Sequence, residues 1–225
     1  MQATVAPVDV AQVLHLLRAH YGEPERKERI DPLSELVLTI LSQNTNDTNS
    51  GRAYDLLRQR FPTWQQVLDA DAGEVAEAIR VGGLGNIKAP RIQEILRQLL
   101  AERGALNLGF LGSLPLDEAR QYLLSLKGVG PKTAACVLLF SLHRPALPVD
   151  THVHRVAARL GLVPPTASAE KAHLLLEQQV PPDDYYPFHL LMIQHGRELC
   201  HARRPDCPAC PLRPMCPWCS RDTTN

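Results

Sequence analysis

Leu126-Lys127-Gly128-Val129-Gly130-Pro131-Lys132-Thr133-Ala134 is the stretch from which the fold is read. It lies between two segments of helical periodicity, 117–125 and 132–142. The glycine pair permits a tight backbone turn and a close approach by another chain. Amides in such a turn, and at the start of the next helix, are able to hold a phosphate. Taken alone, a G-x-G turn is an ordinary helix connection, and a lysine just beyond it is an ordinary surface lysine.

Outward from this turn the pattern stays helical, with no convincing alternating strand, so an all-α fold of about ten short helices is expected. Val10, Val13, Leu14 and Leu17 share one face of a first helix. Asp31-Pro32 reads as an N-cap followed by proline at the first helical position of a helix carrying Leu36, Ile40 and Leu41. A further helix spans roughly 47–60. Asp71 with Glu74 is a capping-box pattern for a helix ending near Arg80. Ile92, Ile95, Leu96 and Leu99 mark the next, and later ones fall around 151–160, 168–178 and 184–200. Gly83-Leu84-Gly85 with Lys88 after it echoes Gly128-Val129-Gly130 with Lys132 after it, which makes Lys88 a competitor for any role given to Lys132.

The 225 residues carry no net formal charge, and 44% are hydrophobic, so a packed interior is expected and global disorder is excluded. The charge is unevenly spread. Residues 1–119 hold 12 basic and 16 acidic side chains, and residues 120–225 hold 12 basic and 8 acidic ones. Phosphate binding requires a local basic face and not a basic protein. The longest apolar run, Ala134 to Phe140, is too short to cross a bilayer, and the start has no basic segment followed by an apolar run. A cytoplasmic protein without a targeting signal and without membrane contact is expected.

Cys200, Cys207, Cys210 and Cys216 follow C-x6-C-x2-C-x5-C. Thiolates this close in sequence are able to converge on one iron–sulfur cluster, each ligating one iron. Prolines at 205, 208, 211 and 214 stiffen the loop and lower the entropy lost on wrapping it. Zinc held by Cys207-x2-Cys210 and Cys216-x2-Cys219 is the main rival, set back by pairs lying closer than the usual ribbon spacing. A redox dithiol at Cys216 and Cys219 is a third reading. Pro148 to Arg155, PVDTHVHR, places Asp150 as an N-cap or first-turn acid, with His152 and His154 open to solvent.

Together, the helix–GVG–helix turn, the lysine after it, an aspartate 18 residues on and the C-x6-C-x2-C-x5-C tail resemble the endonuclease III family of the helix-hairpin-helix DNA glycosylase superfamily. The likeness runs from about Pro32 to Cys216. It implies a two-domain fold: a six-helix barrel domain at 25–144, and a helical domain of 1–24 with 145–225 that carries one [4Fe–4S] cluster on the four cysteines. It also implies a bifunctional N-glycosylase and AP lyase that removes oxidised pyrimidines in base excision repair. Lys132 would be the Schiff-base nucleophile and Asp150 the acid that assists it. A monomer acting on double-stranded DNA with a damaged base or an abasic site, and nucleoid-associated through that DNA, is expected.

The base must leave the stack to be reached. The segments matching those that fill the gap are Leu41–Thr45 and Gly82–Gly85, with Asn44 beside Gln43 as the plug and Leu84 as the wedge. Gly128, Val129, Gly130, Lys127, His152 and Arg155 are the remaining expected DNA contacts. The chain departs from the family pattern in reading LSQNTND, in Lys127 and Pro131 around the GVG turn, and in Gly85 after the wedge leucine. These departures bear on lesion preference and leave the Lys132 and Asp150 pair untouched. The alternatives are a mismatch thymine or uracil glycosylase on the same fold, and a silent damage-binding protein. A tyrosine in place of Lys132 would suit the first, and loss of Lys132 or Asp150 the second.

Overall fold

The computed structural model describes residues 8–26 and 28–221, and among these it contains helices and no strand. The α-helices are α1 (Val10–Tyr21), α2 (Pro32–Leu41), α3 (Asp47–Arg60), α4 (Trp64–Asp69), α5 (Ala72–Ala78), α6 (Gly85–Arg103), α7 (Leu116–Ser125), α8 (Pro131–Cys136), α9 (Thr151–Leu160), α10 (Ala169–Glu177), α11 (Tyr185–Glu198) and α12 (Pro217–Arg221). The chain divides into two compact units. One is Arg29–Arg144, and the other joins the segment up to Glu28 with Pro145 onward. None of the described helices is long and apolar enough to cross a membrane.

In the unit Arg29–Arg144, α2 is the internal helix. Leu33, Leu36, Val37, Ile40 and Leu41 are all buried, along with Ser34 and Thr39, so the helix is covered nearly all round. It packs against α3, α6 and α8. Its first turn is fixed by Asp31, whose Oδ1 accepts from Leu33 N at 3.1 Å and Ser34 N at 3.0 Å, while Ser34 Oγ donates to Oδ2. Proline follows at the first helical position, where a missing N–H costs nothing. Past Cys136, α8 widens into a π-helical turn, Val137–Ser141, in which Leu142 N donates to Val137 O at 3.3 Å. Ser141 Oγ donates to Ile30 O at 2.6 Å, which ties that turn back to the entry of α2.

In the other unit, α11 packs on α1 and α9, and α9 also meets α10 and α12. Its core includes Val13, Leu14 and Leu17 from α1 and Phe188, Leu191 and Met192 from α11. Arg18 Nη2 donates to Asp184 Oδ1 at 2.9 Å, and Arg18 Nε pairs with Glu23 at 2.7 Å. At Gly196 the absent side chain matters, because a Cβ there would lie 2.9 Å from His152 Cβ. The glycine lets α11 run hard against the start of α9.

Two local expectations require correction. The reciprocal capping box is at Thr63 and Gln66, where Gln66 N donates to Thr63 Oγ1 at 3.2 Å and Thr63 N to Gln66 Oε1 at 3.0 Å. At α5, Asp71 does cap, accepting from Gly73 N at 2.8 Å, but Glu74 pairs with Arg60 at 2.9 Å. That helix ends at Ala78, ahead of a short 3-10 turn at Arg80–Gly82.

Asp31→Ala should lower stability by about 1–2 kcal/mol, since it strands two amide donors and the Ser34 hydroxyl at the start of the internal helix. Urea unfolding followed by circular dichroism measures it. An unchanged midpoint would show that the cap is dispensable.

Candidate active site and cysteine pocket

The GVG turn is built as follows. Helix α7 ends at Ser125, and Val129 N donates to Leu126 O at 3.0 Å. Gly128 has φ +79, and a Cβ on it would run into the Arg91 guanidinium. Gly130 differs. Its φ is −98, and a Cβ there would meet nothing within 4 Å. Gly128 is therefore demanded by the protein's own packing, whereas the space beside Gly130 is open to an approaching molecule. Gly130 is the N-cap of α8, Pro131 is its first residue and Lys132, partly buried, its second. Val129 is buried. Lys127 is exposed and pairs with Glu94 at 2.9 Å, a contact that solvent leaves weak.

Helix α6 ties this turn to two other segments of its unit. Arg91, against Gly128, also donates from Nη1 to Gln43 Oε1 at 3.1 Å. One turn earlier, Lys88 is 1% exposed, and its Nζ donates to Leu41 O at 2.7 Å and to Gly82 O at 2.9 Å. Burial pushes its pKa down. The Lys88 amine is thus enclosed and bonded on both sides, whereas Lys132 is only partly buried. Asn44 and Leu84 both have left-handed backbone, φ +56 and +55, and both side chains are exposed. For leucine that conformation is strained.

In the unit that joins the N-terminal segment with Pro145 onward, Asp150 is the N-cap of α9, accepting at Oδ1 from His152 N and Val153 N, both at 2.8 Å. The buried residues before it are pinned from two helices. Leu147 N donates to Glu177 Oε1 at 2.9 Å, His173 Nδ1 to Leu147 O at 2.9 Å, and His189 Nδ1 to Pro148 O at 2.7 Å. Both histidines are buried. Sequence reasoning missed these three side chains, because their partners are backbone carbonyls and an amide that no spacing rule reveals. Arg155 faces inward: Nε donates to Cys200 O at 3.0 Å, and Nη2 to Gly196 O at 2.7 Å and His152 Nδ1 at 3.1 Å. His154 Nε2 donates to Ala167 O at 2.9 Å.

Cys200, Cys207, Cys210, Cys216 and Cys219 line one small pocket, with Val156, Leu160 and Leu199 among its apolar walls. Arg159 Nη1 donates to Cys200 Sγ at 3.1 Å and to His201 O at 2.7 Å, while its guanidinium lies 4.7 Å from the Trp218 ring. Tyr21 Oη lies 3.1 Å from His195 Nδ1, whose Nε2 is 3.5 Å from Cys210 Sγ. Burial lowers His195 to about 4 and raises the Cys210 thiol to about 11, so metal would have to displace that proton. Among the described residues no three His, Cys, Asp or Glu side chains converge where one metal ion would sit. The donor set nonetheless suits a cluster, whose four irons take one thiolate each and require no common point. Cys136 is buried in the other unit, as an ordinary core residue.

The description "HhH-GPD superfamily base excision DNA repair protein" fits the chain over residues 37–182. Endonuclease III of Thermotoga maritima is 36% identical over 189 residues, 84% of each chain. An Arabidopsis thaliana protein named as a candidate DNA glycosylase is 43% identical over 165 residues, 73% of this chain and 56% of that protein, so the chain spans little more than half of that relative. A solved endonuclease III, trapped as a covalent intermediate with DNA, superposes with a TM-score of 0.81 at 28% identity, covering 95% of this chain and 97% of that one. The chain belongs to the HhH-GPD superfamily of base excision DNA repair proteins, and within it to the endonuclease III family.

The two glycines of the turn should separate on substitution. Gly128→Ala should cost about 1–3 kcal/mol, since it combines a positive φ with a clash against Arg91, whereas Gly130→Ala should change stability by less than about 0.5 kcal/mol. Denaturant titration of both variants decides it, and equal losses would refute the distinction.

Proposed function

We propose that the protein is a bifunctional DNA N-glycosylase and AP lyase that removes oxidised pyrimidines from duplex DNA. The observation that carries the reading is a partly buried lysine, Lys132, at the second position of a helix opening from the GVG turn, in a chain of the endonuclease III family. The open face at Gly130 and the amides around it offer a phosphate a place to bind. A lysine set just behind that phosphate would be held at a constant distance from the sugar.

With the damaged base everted, Lys132 Nζ attacks C1′ and the base departs with the bonding electrons of the glycosidic bond. Asp150 takes the proton that the amine must lose and offsets positive charge developing on the sugar. The sugar ring then opens as the C1′–O4′ bond breaks and O4′ takes up the proton held by Asp150, and the imine so formed makes the C2′ proton acidic. Loss of that proton expels the 3′ phosphate, which is β-elimination, and water then releases Lys132. Holding the residues before Asp150 is the part assigned to His173, His189 and Glu177.

Cys200, Cys207, Cys210 and Cys216 would hold one [4Fe–4S] cluster, and bound there it would cross-link the C-terminal segment. Arg159 would donate to a ligating sulfur. Cys219, in the same cavity, is left outside the ligand set.

Borohydride should trap a covalent adduct with an abasic or oxidised-pyrimidine duplex. Lys132→Ala should abolish trapping and keep binding. Asp150→Asn should bind at least as well as the parent, and its turnover should fall by roughly a hundredfold or more. Trapping that survives Lys132→Ala would overturn the assignment. Iron analysis tests the cluster separately. About four irons per chain are expected, retained in Cys219→Ser and lost in Cys210→Ser, and stoichiometric zinc in anaerobically purified protein would refute it.

A further inference from the structure

We propose that Lys88 is a positioning residue that joins the 42–45 and 82–85 segments into one rigid two-pronged element, which enters the gap left by an everted base. The inference rests on the reading of the protein as a base-everting glycosylase.

The geometry around Lys88 has three parts. The side chain is 1% exposed, and its ammonium bridges Leu41 O, at the carboxyl end of α2, and Gly82 O, in the turn before α6. Both partners are backbone carbonyls, so the charge acts on main-chain position and not on another side chain. Beyond each carbonyl the chain carries a left-handed non-glycine residue with an exposed side chain, Asn44 on one segment and Leu84 on the other. Leu84 is 47% exposed, and Ile87, one turn further along α6, is 54% exposed.

An exposed leucine in a strained conformation persists only where its surroundings overdetermine it, and such strain collects at functional positions. Here the surroundings are a buried cation bonded on both sides, and Arg91 adds a second tie from the same helix to Gln43. Neither segment is able to shift alone without stranding the ammonium in the interior, where an unmet charge is costly. The two prongs therefore keep a constant spacing. Eversion of an intact base needs both the push and the filling of the hole, whereas strand cleavage at a site already without a base needs neither.

The test compares the full chain with Lys88→Met and Lys88→Arg. It uses a duplex containing a tetrahydrofuran abasic analogue opposite 2-aminopurine, whose fluorescence rises on unstacking. Binding is read by anisotropy, and turnover is read on an oxidised-pyrimidine duplex and on an aldehydic abasic duplex. Lys88→Met should bind the analogue within about threefold of the parent and lose most of the fluorescence rise. Its kcat on the damaged base should fall roughly thirtyfold or more at little-changed KM, while abasic-site cleavage should change less than about threefold. Lys88→Arg should recover part of both signals. Should Lys88→Met fail to fold, Lys88→Gln, which keeps a donor for one of the two carbonyls, takes its place and should give the same selective loss in smaller measure.

Equal losses of damaged-base turnover and abasic cleavage in a folded variant, or an undiminished fluorescence rise, would overturn the proposal. A parent protein that processes no damaged base would instead overturn the functional reading on which it rests.

Discussion

A buried ammonium bonded to two carbonyls is the constraint on which the arrangement of residues 29–144 turns. Lys88 reaches the end of α2 and the turn before its own helix. Because the side chain is enclosed, those two points cannot separate without leaving a charge unmet. Around them are Gln43, held by Arg91, and Gly128, which packs against the same guanidinium. One face of α6 thus sets the relative placement of three loops that differ in sequence and are far apart along the chain. Arg144 acts similarly elsewhere in the unit, donating from Nη1 to Leu111 O at 2.9 Å.

The other unit solves its own ordering problem with cations on α9. Arg155 gathers the carbonyls of Gly196 and Cys200, and Arg159 those of His201 and Ala202. The proline-rich segment has few apolar side chains with which to pack, so these donors replace hydrophobic burial in locating it. The same helix begins at Asp150, whose carboxylate is aimed by the amides of His152 and Val153. One helix therefore joins the candidate catalytic acid at its start to the cysteine cavity at its end.

Much of this was legible in the sequence. The face of α1, the Asp31 cap with Pro32, the span of α3 and the turn between α7 and α8 follow from periodicity and capping chemistry, which act over a few residues. Helix α4 was not legible, since six residues bury only Val67 and give no period to detect. The Asp71 and Glu74 pattern misled because Glu74 finds Arg60, a partner that only the tertiary fold brings near. Lys88 looked like a competitor for the role of Lys132, because a sequence shows a charge and not the carbonyls that will enclose it. His173 and His189 were silent for the same reason. The roles of Lys132, Asp150 and the four cysteines came from a family resemblance, which spacing alone would not have supplied.

The discontinuity of one unit has a consequence for biosynthesis. Helix α1 finds its packing partner in α11, and the Arg18 to Asp184 ion pair spans 166 positions of chain. At about 5–20 residues per second, that partner leaves the ribosome roughly ten to thirty seconds after α1 does. Meanwhile the contiguous stretch from Arg29 to Arg144 is synthesised whole and is free to fold on its own contacts. The apolar face of Val10, Val13, Leu14 and Leu17 stays without that partner until α11 has been made. During that interval it offers an apolar surface that a chaperone can hold.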